Sequence, residues 1–171
     1  MDYLKPHVIL GFLDSECIKL FMNIAFMLLK LRKEKRMKIN FTVPGVPVGK
    51  GRPRFTRTGH TYTPEKTAAY EEKVRLCWKT QSGQGFAGGV ALKASIIAYF
   101  PIPKSASKKK AAAMDGTFHT SRPDADNVAK AILDALNGHA YPDDSAVQID
   151  RCWKFYTSGA PRVEVEIREA T

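Results

Sequence analysis

Apolar and polar residues alternate along Met37-Lys38-Ile39-Asn40-Phe41-Thr42-Val43, which predicts a strand with Ile39, Phe41 and Val43 on its inner face. Val90–Phe100 alternates as well, but both sets are largely apolar: Val90, Leu92, Ala94, Ile96, Ala98 and Phe100 on one side, Ile97 and Tyr99 among the others. A strand apolar on both faces belongs inside a sheet. Pro101-Ile102-Pro103 ends it. Val147–Tyr156 and Arg162–Arg168 read as two more strands, the second with Val163, Val165 and Ile167 inward. Ser158-Gly159-Ala160-Pro161 between them suggests an antiparallel hairpin.

Two segments carry helical spacing instead. Tyr70, Val74, Cys77 and Trp78 share one face of a helix that Thr63 would cap, with Pro64 at its first position and an end near Gln81-Ser82-Gly83. Val128, Ile132, Ala135 and Leu136 form the stripe of a second helix, from about Asp124 to Leu136, stopped by Asn137-Gly138. Ser105–Met114 predicts a shorter helix, closed by Asp115-Gly116, and its Lys108-Lys109-Lys110 fits a solvated face or a phosphate contact equally. Phe55–Arg57 and His60–Tyr62 flank Thr58-Gly59 as a tight hairpin. The sum is an α+β fold: a single small domain with a mixed sheet of about four strands packed with two principal helices, and no internal repeat.

That domain occupies Met37–Thr171. Residues 1–36 differ in kind: an apolar run, Cys17–Leu31, is interrupted by Lys19, Asn23 and Lys30 and followed by the basic stretch Lys30–Arg36. A secretory signal would place the basic residues first, and the longest clean stretch, Ile24–Leu29, falls short of the roughly 20 residues that span a bilayer. An amphipathic membrane-surface helix, a partner-docking helix and an upstream extension outside the native domain all fit. The last is favoured, because Met37 opens a clean strand and Lys33-Glu34 can be encoded by a purine-rich ribosome-binding sequence. No membrane partner is expected for the domain.

Composition narrows the partners. Of 171 residues, 27 are Lys or Arg and 17 are Asp or Glu, for a net charge of +10. Such a surplus favours polyanions, nucleic acid above all. Cys17, Cys77 and Cys152 lie far apart without zinc spacing, as expected of buried thiols in a reducing cytoplasm. Pro44-Gly45-Val46-Pro47-Val48-Gly49-Lys50-Gly51-Arg52-Pro53-Arg54 must be a loop, and it concentrates cations.

Against this basic background the acids gather. Asp124 and Asp126 flank Ala125 at a helix start, and Asp143-Asp144 follows its other end. One acid there would cap free N–H groups. Two at i and i+2 suit a hard divalent ion such as Mg²⁺, which takes a few carboxylates and completes its shell with water and substrate phosphate. Lys130 lies one turn beyond Asp126 on the same face, placed for a surface ion pair or for charge developing on a phosphate. Asp134, a further turn on, reads as a surface partner for Lys130. An EF-hand register fails at Ala129 and Ala135. His119 and His139 read as loop or packing residues.

The run from Arg122-Pro123-Asp124-Ala125-Asp126-Asn127 through Lys130 to Asn137-Gly138, followed by Asp143-Asp144-Ser145, resembles the RusA family of Holliday junction resolvases, as does the Gly49–Arg54 loop. The resemblance covers Met37 to about Glu169. It implies a homodimeric, Mg²⁺-dependent endodeoxyribonuclease, often phage- or prophage-encoded, that nicks opposed strands of a four-way junction in DNA recombination and repair. Mn²⁺ is the expected substitute for Mg²⁺, and no small-molecule cofactor is implied. Position by position it assigns Asp124, Asp126 and Asp144 to the metal, with Asp143 as the alternative third ligand, and Lys130 to catalysis. Lys50, Arg52, Arg54 and Arg57 are the expected sugar-phosphate contacts. A general or flap-type DNA nuclease, or a basic DNA-binding protein without catalysis, would account for the same residues apart from the family motif.

Overall fold

In the computed structural model, which describes residues 15–34, 36–52, 54–55 and 60–170, the elements are α1 (Ser15–Glu34), β1 (Lys38–Pro44), β2 (Arg54–Phe55), β3 (Thr61–Tyr62), α2 (Glu65–Gln81), β4 (Leu92–Pro101), α3 (Lys108–Met114), α4 (Ala125–Leu136), a 3-10 turn (Asp144–Ala146), β5 (Val147–Thr157) and β6 (Arg162–Glu169). The chain divides between Arg36 and Met37 into two units. Within the first, α1 carries exposed Leu20, Phe21, Met22, Phe26 and Met27, and Lys19 pairs with Glu16 at 3.0 Å. No described helix is long and apolar enough to cross a membrane.

In the second unit the strands are ordered β1-β6-β4-β5. The doubly apolar β4 is central, as its pattern required. It runs parallel to β5 and antiparallel to β6, and β6 runs antiparallel to β1. The expected β5–β6 hairpin therefore does not form: β4 stands between the two strands, and Ser158–Pro161 carries the chain past its end, where Ile102 N donates to Thr157 O. Alternation tells which face a side chain occupies but not which strand stands next to it. The parallel β4–β5 pair needs a long crossover, and the segment holding α3 and α4 supplies it. β2 and β3 form the small expected hairpin, with Arg54 opposite Tyr62; its Thr58-Gly59 tip lies outside the described residues.

Helices α2 and α4 cover one sheet face. Ile39, Phe41, Val43, Ala94, Ile96, Ala98, Val163, Val165 and Ile167 are buried beneath them. On α4, Val128, Ile132 and Leu136 interleave with Ala129, Ala131 and Ala135, whose small side chains let the helix lie close to its neighbours. Ile132 is fully buried, so Ile132→Ala is expected to cost about 2–5 kcal/mol, measured as a lower urea midpoint with an unchanged slope. The other sheet face is polar along β1 and β6 and aromatic along β4 and β5, where Phe155 stacks on Tyr99 and on the exposed Phe118.

Two helix starts differ from expectation. Helix α2 begins at Glu65, and the carbonyl of Pro64 accepts from Thr67 N and Ala68 N, so Pro64 and not Thr63 is the cap. Helix α3 begins at Lys108, because Ser107, not Ser105, turns its hydroxyl to the Lys110 N–H.

Candidate active site

Asp124 is the residue that caps α4, yet its side chain makes no capping hydrogen bond. Its backbone carbonyl accepts from Val128 N at 3.1 Å, while the carboxylate stays exposed. Asp126, in the first turn, is exposed too, and neither carboxylate has a hydrogen-bond or ion-pair partner among the described residues. A carboxylate kept only for capping would be spent on the helix N–H groups. These two are available to something else.

Lys130 follows on α4, exposed and likewise without an ion pair among the described residues. The expected pairing with Asp134 is not made. Asp134 instead binds Lys50, whose ammonium lies 2.7 Å from Asp134 and 2.6 Å from Glu71 of α2. Burial works against that charge, but the hydrogen bonds to Asp134 and Glu71 outweigh it and hold the Lys50 pKa above its ordinary value. Lys50, expected on DNA, is thus an internal anchor: a cation already held by two carboxylates has little left for a phosphate.

The anchor seats the basic loop on α4. Lys50 N donates to Asn127 O at 2.8 Å, and Gly51 N to Thr67 Oγ1 at 3.3 Å. Gly49 is required by the contact, since a Cβ there would stand 2.6 Å from the Pro123 Cβ. Between loop and helix opens a cleft of about 620 Å³ lined by Gly49, Lys50, Arg52, Arg122, Pro123, Asp124 and Asn127. Arg52, expected on the sugar-phosphate backbone, lines this cleft, and Arg122, not among the expected contacts, stands with it. Its position two residues before Asp124 was the available signal. The Arg54 side chain and Arg57 lie outside the described residues.

Residues 44–168, which contain the loop, the acidic segment and Asp143-Asp144, match the family described as endodeoxyribonuclease RusA. The chain belongs to the RusA family of endodeoxyribonucleases. It is also 41% identical over 140 residues to the uncharacterized protein YqaN of Bacillus subtilis (strain 168), covering 78% of this chain and 97% of that one. RusA enzymes act on branched DNA junctions; the cleft here brings Arg52 and Arg122 together with the Asp124 carboxylate.

The two acids that the RusA motif left as alternatives differ in their bonding. Asp143 Oδ1 accepts from Ser145 N at 2.8 Å and caps the 3-10 turn, and this bonding lowers its pKa. Asp144 makes no such bond among the described residues; it lies near Tyr141, whose hydroxyl donates to Leu133 O and whose pKa is raised by burial first and by Asp144 second. Among the described residues no three His, Cys, Asp or Glu side chains are gathered as a metal site. Carboxylates nonetheless suit a hard ion, and Mg²⁺ is commonly held by one or two of them with phosphate oxygens and water completing the shell. Asp124 and Asp126 are two exposed carboxylates of that chemistry.

His119 is a packing residue, as expected. Its ring stacks on Phe100 at 4.0 Å and tilts against Tyr156, and Nδ1 has no hydrogen-bond partner among the described residues. Burial holds its pKa below the ordinary imidazole value, and the Lys154 charge adds to the effect. The folded state favours the neutral ring, so its contribution to stability is present above about pH 6.5 and is lost as pH falls through the depressed folded value. His119→Phe should therefore gain melting temperature relative to the parent as pH is lowered from about 7 to about 5. A constant difference across that range would contradict the assignment.

Proposed function

We propose that this RusA-family protein is a homodimeric, Mg²⁺-dependent Holliday junction resolvase that cuts opposed strands of four-way DNA junctions during recombination and repair in the cytoplasm of a bacterium, from a host or prophage gene. One observation carries the reading: Asp124 and Asp126 offer carboxylates without a partner among the described residues at the start of α4, beside a cleft walled by Arg52 and Arg122.

Asp124 and Asp126 would hold Mg²⁺, for which Mn²⁺ would substitute, and Asp144 is the third ligand that the RusA motif assigns, although the three are not gathered as a closed site among the described residues. The ion supplies Lewis-acid stabilisation at the phosphoryl oxygens and a more acidic water. Arg52 and Arg122 hold the flanking sugar-phosphate backbone, a contact that positions the strand without reading its bases. Lys130, with no competing carboxylate among the described residues, would stabilise charge as it develops on the nonbridging oxygens. Two copies related by a two-fold axis would match a junction that is itself cut in pairs.

The test compares synthetic four-way junctions, flaps and linear duplexes. The resolvase reading expects Mg²⁺-dependent cutting of the first alone; equal rates on all three would make the protein a general nuclease. The activity is assigned to Met37–Thr171, so a chain starting at Met37 is expected to cut junctions at the full-length rate. Loss of cutting by a folded Met37 chain would give residues 1–36 a part in the reaction.

A further inference from the structure

Strand β5 places Lys154 on the sheet face turned toward α4. Its parallel partner is Ala98, which is fully buried, while the neighbouring Trp153 and Phe155 sit opposite the less buried Ile97 and Tyr99. A lysine is a costly choice for that face unless its charge is used. No acid pairs with it among the described residues. Its ammonium donates instead to two backbone carbonyls, Ser121 O and Pro123 O, each at 2.8 Å. Cys152, two residues earlier on the same face, places its thiol 3.1 Å from Ala125 O.

The carbonyls of residues 121, 123 and 125 are thus met in turn by side chains of β5. Just upstream the contact is made by backbone: His119 N donates to Lys154 O and Tyr156 N to Thr117 O. The chain leaves the edge of β5 after His119, and from there to the first turn of α4 neither helix nor ladder bonds hold it. Lys154 grips that gap. Ser121 and Arg122 are exposed, and beyond them the exposed Asp124 and Asp126 alternate with the half-buried Pro123, Ala125 and Asn127.

We propose that Lys154 is a positioning residue: by binding the carbonyls of Ser121 and Pro123 it fixes the turn that presents Arg122, Asp124 and Asp126. The inference rests on the reading of those residues as the active site. It touches no substrate, so its effect must pass through the acids. Outer-shell groups that orient metal ligands are commonly worth 10–100-fold in affinity or activity.

The test uses the full chain with Lys154→Met, which keeps the stem but removes charge and donors, and Lys154→Arg, which keeps both. For Lys154→Met the Mg²⁺ concentration for half-maximal junction cutting should rise by about tenfold, and amide exchange over residues 120–127 of the metal-free protein should accelerate by about tenfold while α2 is unchanged. Lys154→Arg should recover most of both. Lys154→Gln, which retains a donor, serves if the methionine variant is too unstable to assay, and is expected to fall between the two. Unchanged Mg²⁺ dependence and exchange would overturn the proposal, as would acceleration spread evenly over α2 and the sheet. If the parent protein cuts no junction, the nuclease reading fails, and the exchange measurement still decides whether Lys154 holds the turn.

Discussion

Asp124→Asn and Asp126→Asn are each expected to abolish junction cutting while leaving junction binding intact. Outer-shell partners of a metal are worth 10–100-fold, so loss of a direct ligand should exceed about a hundredfold. The fold should barely respond. Asparagine caps a helix about as well as aspartate, and the Asp124 side chain makes no capping bond to lose. Binding should hold or tighten slightly, since each change removes a negative charge beside DNA. The Asp143-Asp144 pair supplies the internal comparison. Asp144→Asn should lose cutting like the other two, whereas Asp143→Asn should mainly loosen the turn it caps. Cutting rates and binding by gel shift, in parallel with melting curves, separate these outcomes. Parent-like cutting by Asp124→Asn and Asp126→Asn would leave the protein as a DNA binder whose acids serve only the helix.

Lys130→Ala carries the second large effect. An electrostatic donor at the reacting phosphate is worth about 10²–10³-fold in rate, while an exposed i, i+4 pair on a helix is worth only about 0.2–0.5 kcal/mol of stability. The two roles therefore predict different losses. With no counter-ion among the described residues, Lys130 should cost rate and little stability, and Lys130→Arg should restore part of the rate. Its share of binding is at most one phosphate contact, seen as a salt slope shallower by about one. A variant that cuts at the parent rate would return Lys130 to the helix surface.

The fold was legible wherever burial dictates spacing. The single-faced alternation of β1 and β6, the doubly apolar β4 and the stripe of α4 were all readable, because each records contact with a core. Neighbour relations were not. Nothing in Val147–Tyr156 or Arg162–Arg168 says that β4 separates them. The site was legible as chemistry: two acids at i and i+2, a lysine one turn on and a motif of the RusA type. Residues whose role depends on a distant partner escaped. Lys50 in a glycine- and proline-rich loop looks like a phosphate contact until the fold brings Glu71 and Asp134 to it. Lys154 looks like any strand cation until Ser121 and Pro123 are seen to turn their carbonyls toward it.

The reading of the molecule as a resolvase is most directly tested by mapping the cuts on all four strands of a mobile four-way junction, with and without Mg²⁺. The account predicts paired nicks, symmetrically placed on opposed strands, that appear only with the ion. Cuts scattered over all four strands without symmetry, or identical cutting when Mg²⁺ is chelated, would contradict it.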